Sequence, residues 1–176
     1  NRRIGYVTQD DNLLPWRTTI DGVLCPSEVQ GRLNDETRAQ DDVLVRAVGL
    51  AGFERYYPHE LSGGMRKRAA LIRTLAYDPP VILMDEPFAA VDAQTRTQLQ
   101  ADLLTLWGLG RKTIIFVTHD ITEAIALGDR ALVLSRQPTR IAAEHAIPIP
   151  RPRNVQDIFA LEGFAAVYQR IRSDIQ

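Results

Sequence analysis

The stretch VILMDEP, residues 81–87, most restricts what this chain can fold into. Val81 to Met84 is an unbroken apolar run, closed at once by Asp85, Glu86 and Pro87. A strand covered on both faces has no polar positions to alternate with, so such a run suits a buried parallel strand. KTIIFVTHD, residues 112–120, repeats the design, and IGYVTQ, residues 4–9, reads as a strand ending at Gln9. Helical stretches lie between them. Residues 20–58 are mostly helical, with Val43, Leu44, Ala47, Val48 and Leu50 near helical spacing and Asp35 as N-cap. Residues 65–77 form a helix that Asp78-Pro79-Pro80 stops, and residues 93–107 form an amphipathic helix. A helix over 121–128, a strand at RALVLS, an extended proline-rich IPIPRPR (147–153) and a closing helix over 154–172 follow. Strands alternating with helices predict an α/β domain with a mainly parallel sheet.

In such sheets ligands sit beyond the carboxyl ends of the strands. Three predicted strands end there in functional side chains: Gln9, Asp85-Glu86 and His119. Adjacent carboxylates at a strand end point to different sides of the backbone. One can hold Mg²⁺ through oxygen, and the other can take a proton from an attacking water. His119, 33 positions after Glu86, can hydrogen-bond a γ-phosphate and orient that water. Gln9 can complete a Mg²⁺ shell or position water. His59 and His145 read as surface or satisfied histidines. Asp92, six positions after Glu86, reads as the N-cap of the helix that follows.

Ser62-Gly63-Gly64 stands at the start of a helix. Alone it reads as a helix cap with a flexible entry. Beside the carboxylates it reads as an anion site: backbone N–H groups, the positive end of the helix dipole, one hydroxyl, and glycines that let a phosphate approach.

The totals narrow the function classes. The formal net charge is -1, which gives no reason to expect a nucleic-acid binder. One cysteine, Cys25, forms no internal disulfide and suits a reducing cytosol. No apolar run approaches the roughly 18–20 residues that span a bilayer, so a membrane role must go through a partner. Asn1-Arg2-Arg3 lacks a starting methionine and runs directly into a strand, which is expected of the later part of a longer protein.

Gln9, LSGGM (61–65), VILMDEP (81–87), VDAQTR (91–96) and VTHD (117–120), in that order, resemble the ATPase subunit of an ABC transporter. The resemblance covers essentially the whole chain. It implies a P-loop NTPase-like, mainly parallel sheet core with an inserted helical subdomain, here as a partial domain. It places a helical subdomain at about 12–80, an α/β core at 81–147, and a C-terminal extended segment with a helix at 148–176. It makes Gln9 the Q-loop glutamine, Ser62, Gly63 and Gly64 the signature motif facing the ATP of a partner subunit, and Asp85 the Mg²⁺-binding Walker B aspartate. Glu86 becomes the catalytic base, Asp92 the D-loop aspartate at the dimer interface, and His119 the switch histidine.

ATP and Mg²⁺ are the implied cofactors. The implied partners are a second ATPase subunit in a head-to-tail dimer, transmembrane permease subunits and, indirectly, a periplasmic or extracellular substrate-binding protein. The implied location is cytoplasmic, peripheral on the inner face of the cell membrane. NLLPW (12–16) and IPIPRPR are similar to the nitrate, sulfonate and taurine importer branch. Lys67 stands where glutamine is commoner, and FAAVDAQ replaces the more usual FGALDA. No G-x-x-x-x-G-K-[ST] is present; GLGRKT (108–113) has the wrong glycine spacing and leads from helix to strand. The chain as given is therefore expected to be inactive alone. The competing expectations are a non-catalytic truncated ABC module and an ABC ATPase of DNA repair or translation, which would carry insertions or tandem domains.

Overall fold

In the computed structural model the VILMD run is the central strand of a three-stranded parallel sheet. The structure describes residues 4–110 and 112–175; the Asn1-Arg2-Arg3 opening lies outside them. The chain divides into two units, residues 1–117 and 118–176.

The first unit runs β1 (Ile4–Val7), α1 (Thr19–Val29), α2 (Asp35–Ala47), α3 (Gly63–Ala76), β2 (Val81–Asp85), α4 (Ala93–Leu109) and β3 (Thr113–Val117). The sheet order is β1-β2-β3, all parallel, with Val7 opposite Met84 and Met84 opposite Phe116. Parallel neighbours need long crossovers, and the helices supply them. One sheet face is closed: Val7, Ile82 and Met84 are buried. The other face, with Ile4, Tyr6, Ile115 and Val117, is exposed. β2 was expected to be covered on both sides; among the described residues only one side is covered, leaving Val81 and Leu83 half-buried.

Caps set the helix starts. Asn34, not Asp35, caps α2: its side chain accepts from Thr37 N at 2.9 Å, and Thr37 Oγ1 accepts from Asn34 N at 2.9 Å. That reciprocal box leaves Asp35 in the first turn, where its charge suits the dipole. α1 and α2 both pack on α3, and Val23, Val45, Val48, Leu50 and Ala69–Ile72 are buried.

Asp41 on α2 is buried at 3% exposure, and its Oδ2 has no hydrogen-bond partner. Burial, aided by the neighbouring Asp42 charge, pushes its pKa up to about 6. Below the unfolded-state value near 3.9 the carboxyl is protonated in both states. As pH rises toward 6 the unfolded chain ionises first, and stability falls by roughly 2–3 kcal/mol. Asp41→Ala is therefore expected to be the more stable form at pH 8 by about 2 kcal/mol, with the gap closing at pH 4. Urea unfolding at both pH values reads this, and a gap independent of pH would contradict it.

The second unit contains α5 (Ile121–Leu127), β4 (Arg130–Leu134), β5 (Ile141–Ala146) and α6 (Phe164–Asp174). β4 and β5 pair antiparallel. Ile125, Ala126, Val133, Ile147, Ile149, Ile158, Phe164, Val167 and Ile171 form its core. The closing helix starts at Phe164 rather than 154: a 3₁₀ turn at Ile158–Ala160 precedes it, and Gly163 enters it at φ +85, a left-handed geometry that ends the preceding segment. His145 is satisfied, its Nε2 2.8 Å from Asp174 Oδ2, and His59 stacks on Tyr57. Among the described residues no helix is long and apolar enough to cross a membrane.

Candidate functional site

The carboxyl ends of β1 and β2 are neighbours, because Val7 pairs with Met84. Gln9 follows β1 by two residues, and Asp85 is the last residue of β2. Both are exposed. Tyr6 Oη donates to Asp85 Oδ2 at 3.4 Å. One exposed carboxylate with an amide oxygen nearby in the fold suits Mg²⁺, which keeps most of its waters and takes further oxygens from phosphates. Among the described residues there is no closed cage of three or more His, Cys, Asp or Glu groups.

Glu86 is half-buried and sits at φ +42, a region non-glycine residues seldom adopt. Two backbone bonds hold it: its N–H donates to Val117 O at 3.0 Å, and its carbonyl accepts from Ala89 N at 3.2 Å. The chain thus turns sharply after Asp85, so consecutive carboxylates leave the strand end in different directions. Outlying backbone of this kind persists where surrounding structure enforces it, and it clusters at functional sites.

Ser62 caps α3, its Oγ accepting from Met65 N at 3.3 Å. A Cβ on Gly64 would lie 2.9 Å from Thr95 Cγ2, so the second glycine lets α3 approach α4 closely. A Cβ on Gly63 would meet nothing closer than Arg66 Nη2 at 3.9 Å, and Gly63 is exposed. The two glycines thus differ: one serves packing, and the other leaves open backbone at a helix start. Asp92 is the N-cap of α4, accepting from Thr95 N at 3.0 Å. The Thr95 hydrogen bonds hold its carboxyl below the usual range. Thr95 therefore joins the starts of α3 and α4, and with them Gly64 and Asp92.

Sequence reasoning missed the basic side of α3. Lys67 Nζ donates to the Gln9 carbonyl, Arg66 Nε to Asp11 Oδ2 at 3.1 Å, and Arg73 to the carbonyls of Asn12 and Asp11 at 2.6 and 3.0 Å. The loop after β1 is thereby tied to the helix that begins at Ser62. Burial lowers the pKa of Lys67 and of Arg73, with Asp11 opposing in both. The signal was present: Asp10-Asp11 in one loop, and Arg66 and Arg73 seven apart on one helix face.

His119 lies two residues beyond β3 and belongs to the second unit, where it is exposed. Its neighbours are tied to α5. Thr118 Oγ1 donates to Glu123 Oε2 at 2.6 Å and accepts from Asp120 N at 3.0 Å. Asp120 Oδ1 caps α5, accepting from Thr122 N at 2.7 Å and Glu123 N at 3.4 Å.

The ABC transporter family model matches residues 1–89. An uncharacterised ABC transporter ATP-binding protein of Methanocaldococcus jannaschii is 47% identical over 158 residues, 90% of this chain and 59% of that protein. A taurine import ATP-binding protein of Rhizobium johnstonii is 40% identical over 173 residues, 96% of this chain and 66% of that protein. An aliphatic sulfonates import ATP-binding protein of Streptomyces avermitilis is 44% identical over 155 residues, 88% of this chain and 59% of that protein. The chain thus spans roughly three-fifths of the length of these relatives. Among solved structures, the dimeric post-hydrolysis state of an ATP-binding cassette bound to ADP and Pi matches with a TM-score of 0.67 at 32% identity, over 82% of this chain and 63% of that one.

Proposed function

Because this chain belongs to the ABC transporter family, we propose that the full-length protein is the ATP-hydrolysing subunit of an importer. The observation that carries this reading lies in the first unit. Two paired parallel strands lead into Gln9 and into Asp85-Glu86, while the Ser62-Gly63-Gly64 helix start packs against the helix that Asp92 caps.

Two such subunits join head to tail around ATP. Ser62, Gly63 and Gly64 face the ATP held by the partner subunit's P-loop, and Asp92 lies at the dimer interface. The 176-residue stretch contains no P-loop, so turnover is assigned to the full-length protein and not to this chain alone. Glu86 takes the proton from the attacking water, and His119 holds that water against the γ-phosphate. Asp85 and Gln9 supply oxygens to Mg²⁺, which when bound offsets phosphate charge. The helical region, about 12–80, passes the closure to transmembrane permease subunits; 81–147 forms the α/β core and 148–176 the C-terminal segment. The protein works at the cytoplasmic face of the membrane, with a substrate-binding protein as an indirect partner. The taurine and sulfonate names of the relatives support the nitrate, sulfonate and taurine branch.

The dimer claim is tested through Ser62. In the full-length protein, ATP without Mg²⁺ is expected to shift monomer to dimer in light scattering, and Ser62→Arg to prevent it while monomeric ATP binding persists. Losing the cap costs about 1 kcal/mol, too little to unfold the domain. A Ser62→Arg protein that still dimerises with ATP would remove the signature motif from the interface.

A further inference from the structure

The proline-rich IPIPRPR segment is not explained by the function above, yet its two arginines make a dense polar cluster in the second unit. Arg153 is buried, its side chain 1% exposed. Its guanidinium donates to Ile125 O at 2.7 Å, Ala126 O at 3.4 Å and Gly128 O at 2.5 Å. It also donates to Ile149 O at 3.0 and 2.8 Å and to Ile147 O at 3.4 Å. Arg151 donates to Leu127 O and, at 2.9 Å, to Asp129 Oδ1.

The last carbonyls of a helix have no partner within it. Here those of Ile125, Ala126, Leu127 and Gly128, at the end of α5, are all taken by two arginines from one downstream segment. Two cations at this end also suit the helix dipole. A planar guanidinium can fan across several carbonyls in a way an ammonium cannot. Burial, with the Arg151 charge, lowers the pKa of Arg153 while Asp129 opposes it; an arginine stays charged regardless.

α5 has seven residues, too few to hold a helix by itself, so its attachments set its place. Its other end carries the Thr118–Asp120–Glu123 network that brackets His119. Backbone bonds run the length between: Ala124 N to Asp120 O at 3.1 Å, and Gly128 N to Ala124 O at 2.9 Å.

We propose that Arg153, with Arg151, is a positioning residue for ATP hydrolysis: the pair clamps the carboxyl end of α5 and so fixes the loop that carries His119. This rests on the reading of His119 given above. A small misplacement of a water-orienting group costs rate without costing ATP affinity.

The test uses the full-length protein with Arg153→Met, His119→Ala and the double variant, with steady-state ATPase kinetics and hydrogen exchange on each. Arg153→Met is expected to lower kcat about tenfold with KM for ATP unchanged. In the His119→Ala background the same change is expected to leave kcat within about twofold, since the group it positions is gone. An equal loss in both backgrounds, or none in the first, would overturn the clamp. Wild-type turnover in His119→Ala alone would instead overturn the role of the histidine. Arg153→Lys serves where Arg153→Met does not fold or where His119→Ala is too slow to assay further. It is expected to cut amide protection over 121–128 about tenfold while 81–85 keep theirs. Unchanged protection over 121–128 would likewise overturn the proposal.

Discussion

Glu86→Gln in the full-length protein is expected to turn ATP over at least about a hundredfold more slowly while binding it as tightly as wild type. The substitution keeps shape and hydrogen-bonding reach and removes only the proton acceptor. Two backbone bonds, to Val117 and Ala89, hold the turn after β2, and neither uses the side chain that changes. The φ of +42 is equally costly for Glu and Gln, which leaves strain unaltered. With the closed state formed but not discharged, the variant is also expected to accumulate as an ATP-bound dimer. Single-turnover hydrolysis and a filter assay of bound nucleotide separate the two effects. Wild-type hydrolysis would remove Glu86 as the base; loss of ATP binding would mean that the variant had lost more than a proton acceptor.

Much of this architecture was legible because the physics is local. The apolar run Val81–Met84 marks β2 without tertiary context, and Ser62 and Asp92 announce helix starts by capping chemistry. The misses arise where distant residues decide. β5, IAAEHA, is alanine-rich and intrinsically weak as a strand; it exists because β4 pairs with it. Asn34 outcompetes Asp35 as cap through its reciprocal bond with Thr37, a choice between adjacent polar residues that spacing alone does not make. Lys67, noted only as a departure from the commoner glutamine, ties its helix to the Gln9 carbonyl 58 positions earlier. VILMD is composed for burial on both faces, so its half-covered state among the described residues was not deducible from the strand itself.

The ion pair between Arg68 and Asp102 is a largely buried polar link whose loss is expected to cost stability. Arg68 Nε lies 2.7 Å from Asp102 Oδ2, and the Asp102 side chain is 9% exposed. Gln98 Nε2 donates to the other carboxylate oxygen at 3.0 Å. Arg68 is on α3 and Asp102 on α4, so the pair joins the helix begun by Ser62 to the helix begun by Asp92. Arg68→Met leaves a buried carboxylate with one neutral donor, and it is expected to cost about 3 kcal/mol. Arg68→Met with Asp102→Leu removes both charges and is expected to recover most of that loss, because packed apolar groups need no partner. Urea unfolding of the three proteins measures this, and a single variant costing under about 1 kcal/mol would show that solvent already screens the pair. The functional consequence runs through the helix starts. Gly64 and Thr95 allow the close approach of α3 and α4, and the Arg68–Asp102 pair fixes their register further along. The single variant is therefore expected to weaken ATP-driven dimerisation as well as stability, while the double variant keeps its stability and shows whether the register needs the charges.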